Sequence, residues 1–384
     1  MNVEKGKLLD EIRRIAREKR LILPVLTGIV LFLFITLFFV QSEKGKGFIS
    51  HLKFRFGLHD ISSRAETLNS SIEAALDRWG AEKDISRKKH VKGKEVWNYS
   101  VREVTLPKDA VLSGIEKDLR EAIHKAGGEI DNREQHDEPR FRVLTISAGI
   151  ESVQTHLLIL KKPLSPRVAI LIDDLGRDSN IARSILEIDA PISLAILPGL
   201  PQSKSIAREA SEKKRDVLVH LPMESHDREM MNKYKKVLRT EMPKDVLEKE
   251  TEELLSLVPY STGVNNHMGS KFTENREVME VVLKKLKEKN LFFVDSRTTA
   301  QTVAYDLAKE LHIKTGFRSV FLDNSRETED IKAEILRLIS LSKKNGSVIG
   351  IGHPDKHTIS AIREMLPVFR ENGVELVPVS ELVN

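Results

Sequence analysis

Apolar positions follow three different rhythms along the chain. Residues 21–40, LILPVLTGIVLFLFITLFFV, form one unbroken apolar run without a charge. As a helix, that run is long enough to cross the ~30 Å hydrocarbon core of a bilayer. From residue 63 to about 160 the pattern is mixed. Ile72, Ala75, Leu76 and Trp79 recur at helical spacing, and Leu112, Ile115, Leu119 and Ile123 mark a second helix closed by Gly127-Gly128. Residues 96–101, 141–146 and 153–160 read as strands. The order α-β-α-β-β predicts a small α+β domain over residues 63–162. After Pro163-Leu164-Ser165-Pro166 the rhythm becomes strand, loop, helix, repeated. Short apolar runs at 168–172, 192–197, 217–219, 263–265, 291–294, 319–322 and 348–351 alternate with helical patterns at 179–187, 203–214, 243–257, 276–289, 300–311, 329–343 and 358–372. This alternation predicts a parallel α/β domain over 163–384, either a barrel or an open sheet, with residues 375–378 as a further short strand that closes it. Ser179 and Ser203 are the expected N-caps and Gly373 the stop signal of the last helix.

Charge orients the apolar run. Lys5, Lys7, Arg13, Arg14, Arg17, Lys19 and Arg20 precede it, and only Lys44 and Lys46 follow closely. The heavier basic flank stays in the cytoplasm. The expectation is a cytoplasmic N-terminus (1–20), a signal anchor (21–41) in the inner membrane, a linker (42–62), and both domains on the periplasmic or extracellular side. A cleaved signal peptide is the alternative, but the run is long for one, and Phe39-Val40-Gln41-Ser42 lacks a small-x-small cleavage site. Net charge is +5 over 384 residues, with both signs interspersed. That describes a solvated mixed surface, and no nucleic-acid partner is expected. The absence of cysteine removes disulfides and thiolate metal sites from consideration.

Candidate chemistry gathers where the strands of the second domain end. Strand one runs into Asp173-Asp174, strand three into His220-Leu221-Pro222-Met223-Glu224, and strand four into Asn265-Asn266-His267. Strand five ends in Asp295-Ser296-Arg297, strand six in Asp323, and strand seven in His353. In a parallel barrel all these ends share one mouth. Two adjacent carboxylates there need a cation or a hydrogen-bond network to compensate them. One Asp with two His is a common ligand set for a catalytic divalent ion. A second Asp can take a proton from water and another His can give one to a leaving group. No Gly-x-Ser-x-Gly elbow, P-loop or dinucleotide fingerprint is present, so metal-assisted hydrolysis is the expected reaction class.

These motifs, in this order, resemble the divergent polysaccharide deacetylase family, the YibQ-like proteins, over about residues 166–383. The resemblance implies a distorted seven-stranded (β/α) barrel. It implies a divalent metal, zinc by preference with manganese or cobalt as alternatives, and an acetylated cell-envelope polysaccharide, such as peptidoglycan, as substrate. By resemblance Asp173 is the general base, Asp174 and His220 are metal ligands, and His353 is the general acid. Where the family motif has a second His this chain has Glu224, so the third ligand is His267 or, alternatively, Glu224. The usual Arg-x-Pro-Tyr motif is absent, and Asn266, Asp295 and Arg297 are expected to bind or orient the substrate. The resemblance covers neither the anchor nor the small α+β domain. An inactive carbohydrate-binding or scaffold protein that keeps the fold is the alternative function.

Overall fold

The computed structural model describes residues 61–80, 82–92, 95–231, 234 and 236–384. The expected cytoplasmic segment, the anchor and nearly all of the linker lie outside the described residues. No helix among the described residues is long and apolar enough to cross a membrane. The chain divides into two compact units between Pro163 and Leu164.

The first unit contains helix α1 (Ile61–Asp77), strands β1 (Glu82–Lys92) and β2 (Glu95–Thr105), helix α2 (Leu112–Lys125), and strands β3 (Glu129–Asp137), β4 (Phe141–Ile150) and β5 (Val153–Pro163). The sheet order is β1-β2-β5-β4-β3, with only β2 and β5 parallel. This corrects the expected α-β-α-β-β order, which lacked β1 and β3. Both are edge strands of polar sequence, and all but one residue of β3 are exposed. A strand of polar sequence has no apolar alternation to reveal it; backbone pairing defines it instead. The core of this unit joins Leu68, Ile72 and Leu76 of α1 to Ile115, Leu119 and Ile123 of α2 over the sheet. All but Leu68 are among the residues that recur at helical spacing in the sequence.

The second unit is a closed parallel barrel. Its strands are β6 (Arg167–Leu175), β7 (Ser193–Ile196), β8 (Val217–Met223), β9 (Gly263–Met268), β10 (Phe292–Asp295), β11 (Thr315–Phe321) and β12 (Ser347–Gly352). Each pairs in parallel with the next, and β12 pairs with β6 from Ser347↔Arg167 to Gly352↔Ile172. Seven strands therefore complete the ring. The expected closing strand at 375–378 is only β13 (Glu375–Leu376), and it pairs with the start of β6 without closing anything. The helices are α3 (Ser179–Leu186), α4 (Ser203–Glu212), the short α5 (Arg228–Met231), α6 (Lys244–Ser256), α7 (Arg276–Glu288), α8 (Ala304–Glu310), α9 (Thr328–Asn345) and α10 (Lys356–Glu371).

Two capping expectations are also corrected. Asp178, not Ser179, caps α3, accepting from the Asn180 and Ile181 amides at 2.8 and 3.3 Å. Ser203 lies inside α4 and ties its entry turn, donating to the Leu197 carbonyl at 2.6 Å. In both cases the residue one position earlier has the non-helical backbone that a cap requires.

Strand alternation splits the barrel's apolar residues into two clusters. Val168, Ile170, Ile172, Leu194, Val219 and Val264 pack with the helices. Ala169, Leu171, Ala195, Leu218, Val294, Ile349 and Ile351 form a smaller cluster, plugged by Val377, Val379, Leu382 and Val383 from the chain end. The second cluster is the barrel interior. A strand buried on both faces has no polar face, which explains the unbroken apolar runs in the sequence.

Candidate metal centre

Period-two alternation places most of the site. On β6 the interior face reads Ala169, Leu171 and then Asp173; on β12 it reads Ile349, Ile351 and then His353. On β8 Leu218 is followed two residues later by His220, and on β10 Val294 by Ser296. Across the ladder Asn265 pairs with His220, and His267 with Pro222. The polar residues thus continue the interior face upward into the mouth, where the apolar packing stops.

Asp174 breaks this parity. In a regular strand its side chain would oppose that of Asp173. Its φ of +54° puts the backbone in the left-handed region, and the pairing of β6 with β7 slips between Ile172 and Leu175. Such a conformation is unfavourable for a non-glycine residue. Here it lets two consecutive carboxylates serve one site. Met268 and Arg297, at the ends of β9 and β10, are also left-handed, with φ of +54° and +48°.

Three donor atoms converge. Asp174 Oδ1 lies 3.0 Å from His220 Nε2 and 2.8 Å from His267 Nδ1, and the two imidazole nitrogens are 3.0 Å apart. Despite those separations Asp174 Oδ1 is buried and makes no well-directed hydrogen bond. Asp174, His220 and His267 each offer one ligand atom to this position. Leaving a buried polar atom unsatisfied costs ~1–3 kcal/mol, so the arrangement asks for a cation. One carboxylate and two imidazoles suit a divalent ion of the zinc type.

His220 is locked by its other nitrogen. Nδ1 lies 2.9 Å from Asn265 Oδ1, and Asn265 Nδ2 donates to Ser296 Oγ at 3.2 Å. An amide oxygen only accepts, so His220 carries its proton on Nδ1 and keeps the Nε2 lone pair free for a metal. Asn265→Ala is expected to weaken divalent-ion affinity about 10–100-fold, measured by competition with a chromophoric chelator. Unchanged affinity would mean that the amide does not set the tautomer. His267 lacks such a brace, since its Nε2 is buried without a partner. The edge of the Tyr234 ring, 4.6 Å away, holds its plane instead.

Beside this triangle stands an acid–base pair. Asp173 is 2 % exposed, and its two oxygens lie 3.6 Å from His220 Nε2 and from His353 Nε2. Burial pushes the Asp173 pKa up to about 6, against the pull of His220 and His353. Asp174 is buried too, but the close nitrogens and charges of His220 and His267 hold it well below the usual carboxylate range. Burial disfavours the charged form of His353, yet its hydrogen bond to Asp323 and the charges of Asp173 and Asp323 raise its pKa to about 9. Asp323 Oδ1 is 2.9 Å from His353 Nδ1, and Oδ2 accepts from the His353 amide at 2.6 Å and from Thr358 Oγ1 at 2.8 Å. Gly352 permits this approach, because a Cβ there would lie 3.3 Å from Asp323 Oδ2 and 3.1 Å from Thr358 Cγ2.

The remaining expected residues lie around this centre. Glu224 turns away from it: Oε1 pairs with Lys271 Nζ at 2.7 Å, and Oε2 accepts from Thr240 N and Oγ1, both at 2.7 Å. Asn266 is buried, accepting from the Ser296 amide and donating to the Met268 carbonyl, both at 2.8 Å, so it braces two strand ends. Asp295 closes the turn after β10 by accepting from the Arg297 amide and Thr302 Oγ1, each at 2.8 Å. Arg297 is exposed at the rim, its guanidinium 3.6 Å above the Phe317 ring.

Residues 170–383 match the family model described as divergent polysaccharide deacetylase. The chain belongs to that family. Among curated proteins it is similar to Escherichia coli YibQ, an uncharacterized protein, at 37% identity over 229 residues, which are 59% of this chain and 71% of YibQ. An uncharacterized protein of Haemophilus influenzae is 33% identical over 216 residues, 56% of this chain and 76% of that one. Among solved structures, an uncharacterized protein of Agrobacterium tumefaciens matches with a TM-score of 0.55 and 24% identity, covering 57% of this chain and 89% of that one. The last match supports the fold alone. The family match falls within the second unit and leaves the α+β unit outside it.

Four residues of this family member received no role from the motifs: Asn265, Ser296, Arg318 and Asp323. Asn265, Ser296 and Asp323 stand at strand ends and were visible there as polar residues. Their value lies in partners 31–45 positions away, or 30 positions away for Asp323, which no local signal marks. Arg318 sits inside β11, where a charged residue reads as solvent-facing; a slip in the pairing of β11 with β12 next to it turns it toward the mouth.

Proposed function

We propose that the barrel is a metal-dependent hydrolase that removes acetyl groups from a cell-envelope polysaccharide, with peptidoglycan the first substrate to test. The observation that carries the reading is the convergence of Asp174, His220 and His267 within 3.0 Å, with Asp173 and His353 alongside. Membership of the divergent polysaccharide deacetylases supports the substrate class. In this reading residues 21–40 anchor the chain in the inner membrane and hold the barrel in the envelope.

A divalent ion held by Asp174, His220 and His267 would act as a Lewis acid on the acetamide carbonyl and on a water. Asp173, as carboxylate, accepts a proton from the water that attacks the carbonyl carbon. His353, held protonated and oriented by Asp323, gives the Nε2 proton to the sugar nitrogen as the C–N bond breaks. The products are acetate and a free amine. The two groups start in the protonation states these roles require near neutral pH, because burial and the Asp323 pair push their pKa values to about 6 and about 9.

Metal analysis of the purified protein together with acetate release from peptidoglycan and acetylated glucosamine oligomers tests this. About one equivalent of zinc, manganese or cobalt and measurable acetate are expected. Bound metal without acetate from any acetylated glycan would favour the carbohydrate-binding alternative. Failure to take up any of the three ions would remove the enzyme reading. A reporter fused after Ser62 is expected to be active only outside the cytoplasm.

A further inference from the structure

The mouth of the site carries arginines held by aromatic rings and backbone carbonyls rather than by direct ion pairs. The Arg297 guanidinium rests 3.6 Å above Phe317, with Tyr305 at 6.0 Å. Arg318 lies 4.2 Å over the Phe321 ring, and its Nε and Nη2 donate to the Ser296 and Arg297 carbonyls, each at 2.7 Å. Phe321 in turn stacks on His353, with centroids 5.4 Å apart and planes 10° apart. Burial and the charge of Arg297 lower the pKa of Arg318, against the pull of Asp295 and Asp173. Arg177 is exposed on the loop after β6, three positions beyond Asp174.

Among the described residues none of these three arginines has a carboxylate within ion-pair distance. The nearby acids are already engaged: Asp295, whose charge reaches both Arg297 and Arg318, accepts from the Arg297 amide and Thr302 Oγ1. Glu224 is taken by Lys271 and Thr240, and Glu274 by His226 and Thr299. Like charges held side by side repel, and stacking on a ring fixes each guanidinium without neutralising it. A neutral sugar polymer needs no such arrangement. An anion lying along the mouth does, and the planar guanidinium fork matches carboxylate and phosphate oxygens.

We propose that the substrate is an anionic glycan, in which a sugar next to the acetylated one carries an oxyanion received by Arg297 and Arg318, with Arg177 on the loop after β6 as a further contact. This rests on the deacetylase reading and adds the charge class of its substrate.

Calorimetric binding by the metal-loaded full chain in detergent tests it, because binding is read independently of turnover. Three probes are compared: a neutral N-acetylglucosamine tetramer, a tetramer alternating N-acetylglucosamine with a uronic acid, and a phosphate-linked N-acetylglucosamine oligomer. At low salt one of the two anionic probes is expected to bind at least about tenfold tighter than the neutral one. Which of the two does so identifies carboxylate or phosphate. The preference should shrink steeply in about 0.5 M salt, where charges are screened over a few ångströms. Arg297→Gln and Arg177→Gln should each remove much of the preference, and Arg297→Lys should keep part of it. Equal binding of neutral and anionic probes at low salt, or a preference that survives both glutamine variants, would overturn the proposal. Acetate release from the neutral tetramer without any charge preference would sink this inference and leave the deacetylase reading standing. Binding of none of the three probes would sink both.

Discussion

His267→Ala is expected to strip the barrel of its divalent ion, while Glu224→Ala leaves the ion bound. The two residues compete for one ligand position when only the motif order is considered, and geometry separates them. His267 Nδ1 lies 2.8 Å from Asp174 Oδ1 and 3.0 Å from His220 Nε2. Both Glu224 oxygens are committed to Lys271 and Thr240. Removing one of three protein ligands leaves two, too few for the usual catalytic site, so the metal content of purified His267→Ala should fall to background. Glu224→Ala acts elsewhere. It leaves Lys271 and the Thr240 amide without their acceptor, and a melting temperature lower by a few degrees is expected with the metal in place, since a hydrogen bond to a charged group is worth ~1.5–3 kcal/mol. The opposite pattern, metal kept in His267→Ala and lost in Glu224→Ala, would reverse the assignment.

Asp173→Asn separates binding from turnover. The substitution preserves shape and leaves Asp174, His220 and His267 in place, so the ion should remain bound at full stoichiometry. Turnover should fall by ~10²–10⁴-fold, the range for loss of a positioned base. The pH profile of the unsubstituted protein carries the same assignment. Asp173 works as the carboxylate, so activity rises as pH climbs through its pKa of about 6. His353 works as the imidazolium, so activity falls as pH climbs through about 9. A bound cation favours the carboxylate and disfavours the imidazolium, which moves both limbs to or below those values. The limbs belong to the coupled pair rather than to either residue alone. Asp323→Asn removes the charge that raises His353 and should move the alkaline limb down while leaving metal content intact. An alkaline limb that does not move would mean that His353 is not the proton donor.

The fold of the second unit was largely legible in the sequence because its strands are buried on both faces. Runs such as residues 168–172 and 348–351 have no polar face to interrupt them, and amphipathic helices separate them. The first unit was legible only where apolar side chains meet. Its two helices were apparent, but the polar edge strands Glu82–Lys92 and Glu129–Asp137 were not, because backbone pairing defines them. At the site, residues that follow strand parity were apparent as candidates: Asp173, His220, His267 and His353 each stand where an interior-facing register runs out of apolar residues. Asn265 and Asp323 were visible only as polar strand ends, because their roles depend on distant partners. Asn266 and Asp295 stand beside these candidates in sequence, yet they bond to backbone and turn atoms instead.

The sequence by itself determined that polar chemistry gathers at one end of a parallel α/β domain, because strand periodicity and strand ends are local properties. It also determined which residue types are there. Only the tertiary structure decided how they are used. Ring closure between β12 and β6 brings His353 to Asp173 across 180 positions, the left-handed backbone at Asp174 turns both carboxylates into one mouth, and the Lys271 pair removes Glu224 from the ligand set. The first two depend on where a side chain's partners lie in space, as does the hold of Lys271 and Thr240 on Glu224, and separation along the chain carries no record of that.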